Sequence, residues 1–307
     1  MEVLESPLDA LGDSGLPLVA AIAETERRRR ARRRREVLDR AGRPLVSVVV
    51  AARNASATVE RAVRSLLAQT YSSLEVVVVD DASEDGTLDV VRGLGDPRVR
   101  WLRSDARGGA ARARNLGLAA ATGAYLAFQD ADDVSHPERI ERQLGALLAL
   151  RAAVCVCNSL RESPDGRRVI VNGRRYTRSM ISMLFPRDPV LERAGYMLPL
   201  TVGEDTEYFE RIRAVFGERS VAHVFETLYR ARFAPGSLLF SSGTTSVRDR
   251  HVSFTHAKEN DRALAEALAR LERVRRGLEP AFVPLDPAGA PEADAEPRDE
   301  GSPRRAP

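Results

Sequence analysis

The chain has 307 residues, 43% of them hydrophobic and 30% charged, with a formal net charge of only +3. That length suits one large domain or two small ones around a proper core, and so small a net charge excludes a molecule that holds nucleic acid by bulk charge alone. The two cysteines of "AAVCVCN" are spaced to share one strand face, lack partners for a zinc set and read as small buried hydrophobes of a reducing compartment.

Residues 1–43 read as a helical extension, with eight arginines in the nine positions Arg27 to Arg35 and a stop at Gly42 and Pro44. Charged all round over these turns, the helix should lie outside the core. It reads as a solvated arm, as a contact for an anionic membrane surface or, less fittingly, as an RNA contact. The short apolar "LPLVAAIA" among acids does not read as a secretory signal, and no apolar run reaches the ~18 residues of a membrane span, so a cytoplasmic protein is expected, peripheral at the inner membrane face where the arginines engage lipid.

The folded part begins at "PLVSVVVAARN", where Leu45 to Val50 form an apolar run that predicts a strand buried on both faces. Val59, Ala62, Val63, Leu66 and Leu67 recur at helical spacing, with Ser56 or Thr58 as cap. "LEVVVVDD" predicts a second buried strand ending in Asp80 and Asp81. A turn at Asp85-Gly86, a short helix and the strand "RVRWLRS" follow. "GGAARARNLGLAAATG" predicts a helix of small residues between Gly108-Gly109 and Gly123. "AYLAFQD" is a fourth strand, and Ser135 with Glu138 predicts a capping box for the next helix.

Strand and helix alternate with short connections, so an open α/β sheet, mostly parallel and flanked by helices, is expected. Ligands of such sheets bind beyond the carboxyl ends of the strands. The first strand ends at Ala51 to Asn54, the second at Asp80 and Asp81, and the fourth at Asp130, Asp132 and Asp133, so these groups should line one crevice. Carboxylates about 5 Å apart at an effective dielectric of about 20 repel by roughly 3 kcal/mol per pair, which calls for a cation or donors to offset it. The turn "AARNAS" lacks a Gly-x-Gly-x-x-Gly, and no Gly-Lys-Ser/Thr loop occurs, so dinucleotide and ATP fingerprints are missing. An acidic rim holding a diphosphate needs a metal between the two, and Mn²⁺ or Mg²⁺ suits.

Four stretches, "VSVVVAARNASATVERAVRSLLAQTY", "LEVVVVDDASEDGT", "GGAARARNLGLAAATGAYLAFQDADDVSHPERIERQ" and "GEDTEYFERI", make the chain resemble the family 2 glycosyltransferases, an inverting group with the GT-A fold. The resemblance covers about residues 45–240. It implies that Ala51 and Arg53 border a nucleobase pocket, that Asp81 accepts a hydrogen bond from the base with Asp80 supporting the loop, and that Arg114 lies near the donor diphosphate unless it merely faces solvent. It also implies that Asp130, Asp132 and Asp133 contact the ribose and the metal, the metal falling to Asp132 or Asp133. Asp205 takes the place of the catalytic base beside Glu204, which shapes the acceptor site; alone, both acids could simply favour a helix N-terminus.

The segment "MISMLFPRDPVLERAGYM" resembles a strand under the acceptor site followed by a loop. Where the family often carries a histidine, this chain has Ala234 or a neighbour. A Gln-x-x-Arg-Trp element is absent, which favours transfer of single sugars. The resulting division is 1–43 basic extension, 44–150 nucleotide-sugar half, 151–250 acceptor and base half, 251–279 C-terminal helix and 280–307 disordered tail. The expected activity is transfer of one sugar from a nucleotide-sugar donor, taken as UDP-linked, to a glycan or lipid-linked acceptor, with nucleic acid not among the partners. An inactive scaffold of the same fold and a nucleotidyltransferase are the competing readings; the second usually has a Gly-rich first loop.

Overall fold

The computed structural model describes residues 16–233, 243–248 and 251–286. Ala234 and most of the 280–307 tail lie outside the described residues. The first half is a parallel sheet in the order β3-β2-β1-β4, formed by β1 (Val46–Ala52), β2 (Leu74–Asp80), β3 (Val99–Arg103) and β4 (Tyr125–Asp130). β1 and β2 are covered on both faces, which is why their sequences are mostly apolar runs rather than alternating ones, broken near their starts by Ser47 and Glu75, which bond to each other. Helices α2 (Val59–Leu67), α3 (Thr87–Arg92) and α4 (Gly109–Ala120) make the connections. After β4 come the short β5 (Val134–Ser135) and helix α5 (Arg139–Leu150).

The second half contributes β6 (Val154–Glu162), β7 (Arg168–Val171), β8 (Thr177–Pro186), α6 (Arg187–Arg193), α7 (Glu204–Phe216) and β9 (Val221–Arg232). A hairpin of β10 (Gly243–Arg248) and β11 (His251–His256) precedes α8 (Lys258–Arg275). β8 lies antiparallel between β4 and β6, and β9 runs parallel to β6. Two reversals restore the direction, so β6 and β9 point the same way as β4 and end on the same rim. The sheet is therefore mixed, with its parallel part carrying the rim. Phe128, Phe185 and Tyr208 stack at centroid distances of 5.7–6.5 Å and join the two halves in one core.

Several local expectations need correction. Ser135 does not cap α5: it pairs in β5, its hydroxyl donates to Gln129 Oε1, and Glu138 occupies the N-cap position without a side-chain cap bond. Thr58 does occupy the N-cap of α2, but its hydroxyl donates to Ala55 O instead of accepting a helix N–H. The predicted 251–279 helix begins as strand β11 and turns helical at Lys258. The expected loop after β8 is helix α6.

The basic extension is not a free arm. In α1 (Leu16–Arg40), Ala31, Arg34, Val37 and Leu38 are the covered positions from Ala23 onward, spaced as one helical stripe, and Leu38 is fully buried in the main core. The stem of Arg34 lies over Gly145 of α5, where an added Cβ would stand 3.1 Å from Arg34 Cγ. A strongly basic helix can thus dock through aliphatic stems with most of its guanidinium groups exposed, while Arg34 itself is partly desolvated, its Nε buried without a hydrogen-bond partner among the described residues.

Candidate active site

Register aligns the strand ends expected to meet. Ala51 pairs with Asp130 on one side, Ala52 with Asp80 on the other, and Asp80 with Arg103 of β3. The rim is therefore a row of carboxylates and small residues along the carboxyl edge. Arg53 crosses it and donates from Nη1 to Asp81 O at 2.9 Å.

The two acids ending β2 do different things. Asp81 accepts the N–H groups of Gly108 (2.7 Å) and Gly109 (2.8 Å), anchoring the N-terminus of α4, where the helix dipole favours a negative charge. Asp80 is 1% exposed, and neither of its carboxylate oxygens has a hydrogen-bond partner among the described residues; Arg103 Nε stands 3.7 Å away. A buried carboxylate without donors costs free energy that a ligand donor would recover.

Arg114 is the hub. It is only 5% exposed, and donates from Nη2 to Asp130 at 2.7 Å and from Nη1 to Glu204 at 2.5 Å. It does not face solvent, because α4 lies against β1 and turns this residue towards the rim. Two carboxylates hold its guanidinium charged despite burial. The pairing ties the acid that ends β4 to the start of α7, whose Glu204 lies 90 residues beyond Arg114 in sequence.

Asp205 lies beside this pair, its Oδ1 accepting Thr206 N–H at 2.7 Å. Burial, and then the charge of Glu204, push its carboxyl up to about 6, with Arg114 opposing. Such a carboxylate can accept a proton near neutral pH. Asp132 is likewise pushed up to about 6, by burial and then Asp130. Asp133 is buried and raised as well, by burial and then the charges of Asp130 and Asp132, although Arg232 N–H reaches its Oδ1 at 2.7 Å. The chain's own cations do not balance this triplet.

Among the described residues no three His, Cys, Asp or Glu side chains converge as a ready-made metal cage. Mg²⁺ and Mn²⁺ do not need one, since they take one or two carboxylates and complete their shell with water and phosphate oxygens. Asp132 and Asp133 offer hard oxygen donors with excess negative charge, so the residues fit such an ion.

Three residues escaped the sequence reading. Tyr229 is fully buried, accepts Asp130 N–H at 3.0 Å on its hydroxyl and stands beside Asp133. Arg139, also fully buried, donates to Phe128 O (2.7 Å), Ser135 Oγ (2.8 Å) and Gln143 Oε1 (3.0 Å) and lies 5.2 Å over the Tyr229 ring. Asn115 exchanges two hydrogen bonds with the backbone of Met197, fixing the approach to α7. For Arg139 a signal existed: with Gln143 it sets two polar residues four apart on the covered side of a helix whose Ile140, Leu144 and Leu147 are apolar.

Residues 47–230 match the family described as glycosyl transferase family 2. The chain belongs to that family. Its fold is the GT-A fold, as in the crystal structure of S. aureus TarS 1–349 in complex with UDP-GlcNAc, which superposes with a TM-score of 0.56 at 20% identity over 76% of this chain and 71% of that one. The succinoglycan biosynthesis protein ExoO of Rhizobium meliloti (strain 1021) is 38% identical over 168 residues, 51% of this chain and 47% of that protein. The UDP-Glc:alpha-D-GlcNAc-diphosphoundecaprenol beta-1,3-glucosyltransferase WfaP of Escherichia coli is 39% identical over 100 residues, 33% of this chain and 40% of that protein. The chain thus spans about half or less of the length of these curated relatives.

Proposed function

We propose that the protein is an inverting glycosyltransferase that moves one sugar from a UDP-linked donor to a hydroxyl of a glycan or lipid-linked acceptor. The observation that carries this reading is Asp205: a carboxylate pushed up to about 6, held beside the Arg114 link to the acidic strand end. In the reaction Asp205 takes the acceptor proton as the oxygen attacks the anomeric carbon from the face opposite the leaving group. Arg114 holds Asp130 and Glu204 in place and keeps Asp205 from being neutralised altogether.

Ala51, Arg53, Asp80 and Asp81 border the base and ribose of the donor. Asp80 is the acid of that group with open acceptor capacity, so it suits a base N–H or a ribose hydroxyl better than Asp81, whose oxygens already take two N–H groups. Asp132 and Asp133 would hold Mn²⁺ or Mg²⁺, which would stabilise the charge building on the departing nucleoside diphosphate. The names of relatives that use UDP-glucose, and the UDP-GlcNAc complex of a protein with this fold, support the choice of donor.

Calorimetric titration with UDP, GDP and CDP, each with and without Mn²⁺, tests the reading. Metal-dependent binding of UDP in preference to the others is expected. Absence of binding by all three would overturn it and leave a scaffold of the same fold.

A further inference from the structure

Six arginines fall between Leu160 and Arg178, against two acids, Glu162 and Asp165. Of these, Arg161, Arg168, Arg174 and Arg175 have no carboxylate within 4.0 Å among the described residues, and neither do Arg230 and Arg232 on β9. The contrast is with α8, where Arg262, Arg273, Arg275 and Arg276 each meet a glutamate. Other arginines also stand without a carboxylate, among them Arg30, Arg33 and Arg35 of α1, but between Leu160 and Arg178 they are gathered at one end of the sheet.

The group also has a place. β6 reaches the rim where β4 ends, and β8 departs from it, so the chain between them stands beyond the carboxyl edge, next to the acids. Val134 pairs with Arg230, Arg232 N–H holds Asp133, and the charges of Arg161 and Arg232 act on Asp132. The turn that presents Arg174 and Arg175 is fixed in position. Asn172 (φ 49°) and Gly173 (φ 73°) adopt left-handed conformations, and the Asn172 amide exchanges hydrogen bonds of 2.8 and 3.0 Å with the backbone of Phe254 in β11. Val169, Phe233 and Val252 give this region a small core of its own. Beside the arginines, Tyr176 is 49% exposed, with its hydroxyl 3.5 Å from Arg168 Nη1.

We propose that Arg168, Arg174, Arg175 and Tyr176 form an acceptor subsite for an anionic saccharide, one bearing a carboxylate or phosphate within a sugar or two of the hydroxyl that is glycosylated. The planar guanidinium fork matches a carboxylate or phosphate in two-point fashion, and an exposed aromatic face packs against the C–H face of a pyranose. The arginines supply selectivity for charge, and the tyrosine supplies selectivity for a ring. The inference rests on the glycosyltransferase reading for the word acceptor, while the binding it predicts can be measured without transfer.

The test is calorimetric binding of a tetrasaccharide containing glucuronic acid, of its carboxyl-reduced neutral form, of a hexose phosphate and of farnesyl diphosphate, with UDP affinity measured in parallel. The acidic tetrasaccharide or the hexose phosphate should bind at least about tenfold more tightly than the neutral sugar, the step expected for one charge-assisted hydrogen-bond pair. Arg174→Gln/Arg175→Gln should remove that preference, Tyr176→Ala should weaken neutral and charged sugars alike, and neither should change UDP affinity. Equal affinity for charged and neutral sugars, or a preference that survives the double substitution, overturns the proposal. Binding of farnesyl diphosphate alone overturns it too, since the anion would then belong to a lipid. Loss of UDP binding in the unaltered protein would instead strike the donor assignment and leave the anion preference standing.

Discussion

At the scale of single residues, Asp205 joins pH, stability and activity. Its pKa of about 6 lies above the ordinary 3.8, so the folded protein binds that proton more tightly than the unfolded chain does. Transfer needs the ionised form, and the rate should fall by about tenfold per pH unit below about 6. The sign for stability is opposite: ionised Asp205 destabilises the fold at neutral pH, and that loss is regained as pH falls from about 6 towards 3.8. Asp205→Asn should therefore abolish transfer, leave UDP affinity nearly unchanged, and raise stability at neutral pH by about 1–2 kcal/mol, less than the full shift because the crevice is partly solvated. Residual transfer in this variant would move the base elsewhere. Arg114→Gln strands Asp130 and Glu204 together and should cost about 3–5 kcal/mol in denaturant unfolding. It should also move the acid limb of the rate to higher pH, because Arg114 is the group that opposes protonation of Asp205. The acids were legible in the sequence because they break a rule, ending buried strands in mutually repelling charges. Arg114 was legible only as a position, and Tyr229 not at all: its partner Asp130 lies 99 residues away, and nothing local marks a tyrosine that will hold a strand end.

At the scale of elements, the parallel half was readable because its central strands β1 and β2 are covered twice and so are mostly apolar, while the edge strand β3 is largely exposed. The second half was not, since β6, β8 and β9 take their order from two antiparallel reversals that leave no trace in hydrophobic pattern. The capping box failed for a related reason. Ser135 had a better partner in the buried Gln129, and a strand pairing with β9 drew it out of the helix. Close approach was the one tertiary feature partly visible, in the glycines of the small-residue helix. Gly117 sits where an added Cβ would collide with the Val49 side chain, so α4 rides directly on β1. Gly123 is less yielding, with Ser47 N 2.7 Å and Leu45 O 2.8 Å from the Cβ position, both backbone atoms that cannot swing away. Gly117→Ala should destabilise by about 1–3 kcal/mol as overpacking, and Gly123→Ala by more. Urea unfolding midpoints would decide the order, and a smaller loss at Gly123 would mean that the backbone before β4 can shift. Since α4 carries both Arg114 and the N–H groups that hold Asp81, Gly117→Ala should also weaken UDP binding without touching a donor-contacting residue.

At the scale of the whole molecule, a formal charge of +3 conceals a separation of charge. Helix α1 alone carries nine arginines against four acids. It runs alongside α5 in the same direction: Ala23 to Arg34 share a groove with Glu138, Arg142 and Glu226, and Arg34 lies over Gly145. The arginine-rich part of α1 therefore flanks the start of α5, on the side of the sheet where β4 ends and the crevice opens. Among the described residues no helix is long and apolar enough to cross a membrane. Arg28, Arg32 and Arg35 are exposed at i, i+4 and i+7, Arg28 and Arg32 being paired with Glu24 and Glu36 of the same helix. Each arginine near an anionic bilayer contributes about 1 kcal/mol, and the attraction is screened by salt. The protein should therefore co-sediment with vesicles of phosphatidylglycerol and phosphatidylcholine, not with phosphatidylcholine alone, and be released as salt rises. Replacing the three arginines by glutamine should weaken binding by about 3 kcal/mol in total while leaving UDP affinity and the fold intact. Equal binding to neutral vesicles would assign the contact to apolar residues, and retention by RNA with no vesicle binding would reject the membrane as partner. Vesicle binding lost in the triple variant, with transfer to a soluble acceptor retained, would show that α1 delivers the crevice to a surface and takes no part in the chemistry.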